Sequence, residues 1–254
     1  MSDSMIQSLE SRRFLSSTVA VNGTELTVNG NGADDSITVR ETGGNVHVEW
    51  VDSAGSPQVA NLAGITAINI NGGGGSDQIF YTGDSIGANI HGDGNGATTP
   101  TNNGGGGKGG SKGANKGGSN KGNRNNKGGS KGGSKGNGGG GGGNGSNVAA
   151  GDFITVSDDG TGSSIVHGDA GNDNITLLHG SNTQLFGDEG DDLIFVNTAA
   201  QGGSANVDGG AGNDTITTYD GVNNINGGAG NDTLIDVGGL SNNTTTNVEN
   251  TQSI

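Results

Sequence analysis

Four times between Gly168 and Leu234 the chain repeats one arrangement of glycine and carboxylate. The first copy is Gly168-Asp169-Ala170-Gly171-Asn172-Asp173-Asn174-Ile175, and the others begin at Gly187, Gly209 and Gly227. They end Asn172-Asp173, Asp191-Asp192, Asn213-Asp214 and Asn231-Asp232, each with one further residue and then Ile or Leu. A fifth copy spans Gly72 to Ile79, with Gly74 and Asp77 in the motif positions, and a degenerate one runs from Gly30 to Ile37 through Asp34 and Asp35. Glycines let a loop adopt positive φ, so that backbone carbonyls turn inward. The closing Asp adds a carboxylate. Carbonyls plus carboxylates form an all-oxygen donor set, which suits a hard cation such as Ca²⁺ at about 2.3–2.6 Å.

The residues after each turn must position it. Ile175 and Leu177, and again Ile194 and Val196, alternate with other residues as in a short strand with one buried face. Successive turns are 19, 22 and 18 residues apart, measured from Asp173 through Asp192 and Asp214 to Asp232. That is about two nonapeptides per step, so one coil holds two strands and two turns, and the Gly-Asp turn occurs once per coil. The opposite turns (Ser157 to Thr161, His179 to Asn182, Asn197 to Gly202, Tyr219 to Val222) are irregular. The expected fold is all-β: a parallel β-roll or β-solenoid with the Asp turns stacked on one edge. Stacked coils sit about 4.8 Å apart. Two bare carboxylates at that spacing repel by about 3 kcal/mol at an effective dielectric of 20. Such a column should close only around cations, which makes metal binding and folding one event.

The pattern G-G-x-G-x-D-x-U-x resembles the RTX, or hemolysin-type, calcium-binding repeat. The resemblance covers about Gly30 to Ile235, apart from an interruption between residues 96 and 149. It implies several Ca²⁺ ions held between neighbouring turns, with Asp77, Asp152, Asp173, Asp192, Asp214 and Asp232 as carboxylate ligands. It further assigns to the metal sites Gly72, Gly74, Asp93, Gly168, Asp169, Asn172, Gly187, Asp191, Gly209, Asn213, Gly227 and Asn231. Asp169, Asp188 and Asp208 also add charge near the turns. In family members with the motif on both edges, metal lines both; here only one well-formed column is expected.

The turn that begins Ile90-His91-Gly92-Asp93 matches the later Val166-His167-Gly168-Asp169, but the motif does not complete. Gly94-Asn95 leads into a run of Gly, Ser, Asn and Lys, and Gly151-Asp152-Phe153-Ile154 comes only after it. One metal-binding turn therefore reads as split by an insertion, residues 96–149, expected to be a flexible coil. All seven lysines lie in it (Lys108, Lys112, Lys116, Lys121, Lys127, Lys131, Lys135), joined by Arg124 and by no acid. The remainder sets Arg12, Arg13 and Arg40 against all 26 acidic residues. The insertion reads either as a solvated spacer or as a weak contact with an anionic polysaccharide or a cell surface. Lacking aromatics to stack on bases, it does not point to specific nucleic-acid binding.

Residues 1–17 read as a disordered terminus or a sorting segment. Leu9 to Ser16 resembles the L-E-x-R-x-L-L-S segment that opens many bacterial surface and secreted repeat proteins. Residues 18–95 read as hairpins, turning at Asn22-Gly23 and Thr42-Gly43-Gly44, and as the first solenoid coils, with Pro57 in a connecting loop from Asp52 to Leu62. The roll proper is expected over 150–240 and a C-terminal cap or tail over 241–254.

Composition bounds the function. With 57 Gly, 27% hydrophobic residues and no Cys, the chain offers a thin core and neither disulfides nor zinc-thiolate sites. It has no apolar run long enough for a membrane span. Gly83-Asp84-Ser85-Ile86-Gly87 matches G-x-S-x-G, but no helical pattern comes after it, as a nucleophile elbow requires. H-E-x-x-H is absent. His91, His167 and His179 begin turns and read as packing, since Ca²⁺ prefers oxygen. The chain is thus expected to be a non-enzymatic, extracellular or cell-surface calcium module with a structural or adhesive role. The alternative is an accessory roll in a secreted polysaccharide-modifying or hydrolytic enzyme system.

Overall fold

In the computed structural model, the described residues are 17–52, 55–93, 150–159, 161–198, 203–219, 221–237 and 243–254. The interruption expected as a flexible coil, residues 96–149, and the N-terminal sorting segment up to residue 16 lie outside them. The described residues form nineteen strands and no helix, arranged in two mixed sheets. From β6 (Ala67–Asn71) onward the strands alternate between the sheets. β8 (Ala88–His91), β10 (Ile165–His167), β12 (Thr183–Phe186), β14 (Ala205–Ala211), β16 (Asn224–Ala229) and β18 (Thr244–Thr246) succeed β6 in one sheet. β7 (Gln78–Gly83), β9 (Phe153–Asp158), β11 (Asn174–His179), β13 (Leu193–Asn197), β15 (Thr215–Tyr219), β17 (Thr233–Val237) and β19 (Asn250–Ser253) build the other. All pairings among these strands are parallel.

The register explains the core. Ile37, Ile79, Ile154, Ile175, Ile194, Ile216 and Leu234 are successive partners across the second sheet, and all are buried. Val28, Ile70, Ile90, Val166, Leu185, Val207 and Ile225 do the same in the first. Each rung stacks an aliphatic side chain on its neighbour and faces the opposite sheet. Full burial of such a side chain is worth about 1.5–3 kcal/mol, so two per coil suffice for a thin core built from few apolar residues. Because side chains alternate with period two, a one-residue slip would put every Ile outside, which fixes the register.

Antiparallel pairing is confined to the N-terminal region and makes the sheets mixed rather than wholly parallel. β1 (Thr18–Asn22) pairs with β2 (Glu25–Asn29), and β3 (Ser36–Thr42) with β4 (Asn45–Val51). Gly43 and Gly44, at φ 55° and 79°, make the tight turn between β3 and β4. The stretch expected as a loop around Pro57 is instead strand β5 (Pro57–Ala63), antiparallel to β4. Proline is accepted there because β5 is an edge strand and Pro57 its first residue. The C-terminal segment does stack on the preceding coil, since β18 and β19 pair with β16 and β17. Among the described residues no helix is long and apolar enough to cross a membrane.

Candidate metal centre

The Asp that closes each glycine turn precedes a strand of the second sheet, so the parallel register brings these residues into one column. Its order is Asp35, Asp77, Asp152, Asp173, Asp192, Asp214, Asp232, and every member is buried. The contact repeats without change along it. The backbone N–H of Asp35 donates to Oδ1 of Asp77 at 2.7 Å, that of Asp77 to Asp152 at 2.7 Å, and that of Asp152 to Asp173 at 2.7 Å. Asp173 then donates to Asp192 at 2.8 Å, Asp192 to Asp214 at 2.9 Å, and Asp214 to Asp232 at 2.9 Å. The chain ends on Glu249, whose carboxylate accepts from Asp232 N–H at 2.8 Å.

One carboxylate oxygen of each Asp from Asp77 to Asp232 is thereby used. The other, Oδ2 of Asp77, Asp152, Asp173, Asp192, Asp214 and Asp232, is buried with no hydrogen-bond partner. Unpaired buried carboxylate oxygens are costly, so six in one line call for a common explanation. The glycine five residues earlier supplies it. A Cβ built on Gly168 would collide with Asp173 Oδ2 and lie 2.8 Å from the Gly187 carbonyl oxygen. Gly72, Gly187, Gly209 and Gly227 face the Oδ2 of Asp77, Asp192, Asp214 and Asp232 in the same way. In each coil a carboxylate oxygen and a carbonyl oxygen of the next coil thus converge on a Cα that only glycine leaves uncovered. This all-oxygen cradle fits Ca²⁺.

Gly92 and Asp152 occupy the same relation although about sixty positions separate them in sequence. A Cβ on Gly92 would meet Asp152 Oδ2 and lie 2.6 Å from the Gly168 carbonyl. The split turn is closed in space as the contiguous ones are.

Burial dominates the electrostatics. It pushes the carboxyls of Asp77 and Asp192 up to about 7, those of Asp152 and Asp173 to about 8, and that of Asp214 to about 6, with neighbouring carboxylates adding to the rise. Asp93, at the mouth of the split turn, is raised to about 6 by burial and by Asp169. Without a cation the column is thus a row of carboxylates held where charge is disfavoured.

The opposite edge differs. Glu41 is buried there too, but it accepts hydrogen bonds from the backbone N–H groups of Gly44, Asp84, Ser85 and Ile86 and from the Ser85 hydroxyl. Burial alone would raise its carboxyl; these donors outweigh it and pull it down to about 2. Asp158 accepts from Ser164 N–H at 3.0 Å and from the hydroxyls of Ser164 and Thr183 at 2.8 Å. These acids are satisfied by protein donors and leave no orphaned oxygen. Ser85, the central residue of the G-x-S-x-G match, donates its hydroxyl to Glu41.

The other proposed site residues fall in two places. Asn172, Asp191, Asn213 and Asn231 form an exposed outer ladder: Asn172 Oδ1 accepts from Asp191 N–H at 2.9 Å, Asp191 from Asn213 at 2.6 Å, and Asn213 from Asn231 at 3.1 Å. They tie neighbouring turns together beside the buried cradle. Gly74 donates its N–H to the Asn31 carbonyl at 2.5 Å, across to the preceding coil. Asp169 and Asp188 face the histidines: His91 Nδ1 lies 3.2 Å from Asp169 and His167 Nδ1 2.8 Å from Asp188. His179 pairs with Asp159 at 2.8 Å. Two column members were not among the expected ligands. Asp35 sits in a degenerate repeat whose second half alone keeps the pattern. Glu249 has no motif around it and is recruited only because the last coil stacks.

Residues 200–234 match the family model of the RTX calcium-binding nonapeptide repeat (4 copies). The chain thus carries calcium-binding repeats of the RTX type. No curated protein and no solved structure matches the chain.

Proposed function

We propose that this protein is a calcium-folded β-roll, exported to the cell surface or the surrounding medium, where it serves a structural or adhesive role rather than a catalytic one. The observation that carries the reading is the line of six orphaned Asp Oδ2 atoms, each in a glycine cradle with a carbonyl of the next coil. Ca²⁺ would be held by the column carboxylates and these carbonyls, with the turns starting at Gly72, Gly92, Gly168, Gly187, Gly209 and Gly227 supplying the sites. Bound there, it supplies positive charge that turns repulsion between coils into cohesion. In this reading the two sheets are the walls of the roll, and the cations are as much a part of its interior as the aliphatic rungs.

Calcium, scarce inside cells and abundant outside them, would leave the chain unfolded before export and fold it afterwards. The lysine-rich stretch 96–149, which contains no acid, is in this reading a basic arm on an acidic body, suited to weak contact with an anionic polysaccharide. The test is far-UV circular dichroism of the chelated full chain titrated with Ca²⁺, with Mg²⁺ as control. A cooperative gain of β-signal with Ca²⁺ alone is expected. A β-spectrum fully present in chelator and unmoved by Ca²⁺ would overturn the proposal.

A further inference from the structure

Among the described residues, one cluster of ligating side chains lies outside the column of buried Asp residues. His167, Asp169 and Asp188 present one ligand atom each, and these three atoms lie within 4.8 Å of one another. His91 also reaches Asp169, with Nδ1 3.2 and 3.4 Å from its two carboxylate oxygens. The rings of His91 and His167 are stacked, centroids 4.8 Å apart and planes within 2°, and Phe186 continues the stack at 4.5 Å. Parallel pairing produces this ladder: His91, His167 and Phe186 are register partners at the ends of β8, β10 and β12.

We infer that His167, Asp169 and Asp188, with His91 holding Asp169, form a second metal site, built for a first-row transition-metal dication such as Zn²⁺ rather than for Ca²⁺.

The donor set carries the choice of ion. Imidazole nitrogen with carboxylate oxygen suits Zn²⁺, Co²⁺, Ni²⁺ or Cu²⁺, whereas Ca²⁺ takes oxygen alone. Tetrahedral bonds of about 2.0–2.2 Å put ligand atoms roughly 3.4 Å apart. The His167–Asp188 separation of 2.8 Å and the 4.8 Å limit on the cluster bracket that value. The His91–Asp169 contact is the arrangement in which a ligating carboxylate is steered by an outer partner. The cluster is only partly exposed, with side-chain exposures of 11% for His91, 15% for Asp169, 27% for His167 and 32% for Asp188.

The repeat itself supplies a second line of support. At the position after the first glycine, three turns carry a second glycine with positive φ: 109° at Gly73, 103° at Gly210 and 105° at Gly228. Glycine meets that demand without strain. In the coils beside the histidines the position is instead Asp169 and Asp188, at φ 69° and 70°. A side chain beyond Cα makes that region less accessible than it is to glycine. Carboxylates replace the unstrained glycine where histidines stand two residues earlier or on the neighbouring rung, whereas the calcium column runs the whole length of the stack. The site does not depend on the calcium reading, because it shares no side chain with the column.

The test uses the full chain in excess Ca²⁺, titrated with Zn²⁺ by calorimetry and with Co²⁺ by visible absorption. Ca²⁺ has no d–d band, so it cannot contribute to the second readout. Saturable binding of a single Zn²⁺ and a Co²⁺ spectrum with nitrogen ligation are expected. His167→Ala and Asp188→Asn should abolish both, and His91→Ala should weaken affinity about 10–100-fold as an outer partner does. His47→Ala and His179→Ala, which alter the only other histidines in the chain, should change neither. Circular dichroism of each variant in Ca²⁺ establishes that it is folded; were His167→Ala to fail there, Asp188→Asn decides. Absence of saturable Zn²⁺ binding by the folded protein would overturn the inference and leave two ordinary His–Asp ion pairs. Binding that survives in folded Asp188→Asn, or that falls equally in His179→Ala, would overturn it too. Metal binding without any calcium dependence of folding would instead refute the calcium roll and leave this site standing.

Discussion

Replacing Asp173 by Asn should stabilise the metal-free fold and leave the calcium-loaded one nearly unchanged. Asn is nearly isosteric, and its Oδ1 can still accept the Asp152 N–H that Asp173 accepts at 2.7 Å. Its own N–H still reaches Asp192 Oδ1 at 2.8 Å. The change falls on the orphaned oxygen, which becomes an amide NH₂ facing the Gly187 carbonyl beside Gly168. Without metal, burial raises the Asp173 carboxyl from 3.8 to about 8. Folding at pH 7 must therefore bind a proton that the unfolded chain does not carry, at a cost of about 4 kcal/mol. Asn avoids that cost, offset by about 1 kcal/mol for an imperfectly paired buried amide. Asp173→Asn should thus favour the metal-free fold by roughly 3 kcal/mol, or about 6–12 °C in melting temperature for a chain of this size. In calcium the gain should largely cancel. One bridging carboxylate is lost, and a site filled at a hundred times its Kd contributes about 2.7 kcal/mol. Thermal melts monitored by circular dichroism, in chelator and in millimolar Ca²⁺, read both effects. Loss of stability in chelator as well as in calcium would refute the argument, because Asp173 would then be serving as an ordinary hydrogen-bonding residue.

The same geometry sets two more expected outcomes. The carboxyls of Asp77, Asp152, Asp173, Asp192 and Asp214 are raised to between about 6 and 8 in the fold against 3.8 unfolded, so the metal-free fold binds protons more tightly than the unfolded chain. Its stability is fully present below about pH 4 and is lost as pH rises through 6–8; acidifying metal-free protein from pH 8.5 to 5 should therefore increase the β-signal, and a decrease over that range would contradict the assignment. Deleting residues 96–150 joins Asn95 to Gly151 and restores the usual five-residue step from Gly92 to Asp152. The shortened chain should keep the calcium midpoint of the parent within about twofold, measured by the same titration, since the closing contact is already made across the interruption.

The sequence by itself determined the repeat, the chemistry of its turn and the period of the coil. Glycine and aspartate at fixed spacing dictate a carbonyl-and-carboxylate turn, and an Ile two residues later, with an apolar residue two beyond it, dictates a strand with one buried face; both are local properties. Gly92-Asp93 and Gly151-Asp152 are also recognisable in it as halves of one motif. Pro57 misled, since a proline is expected in a loop unless the strand is known to lie at an edge, and edge position is a property of the whole sheet.

Only the tertiary structure decided which atoms meet. That Asp Oδ1 accepts the N–H of the neighbouring coil, leaving Oδ2 alone in the glycine cradle, depends on coils eighteen or more residues apart stacking in register. The same stacking placed Asn172, Asp191, Asn213 and Asn231 on an outer ladder, although their neighbours in sequence line the interior. It drew Glu249 into the column without a motif, and it set His91 beside Asp169 across the interruption, 78 residues away in sequence. Spacing along a chain fixes which side of a strand a residue occupies. Which residue of another coil it faces is fixed by the register of the sheet, and the buried aliphatic rungs of both sheets set that register together.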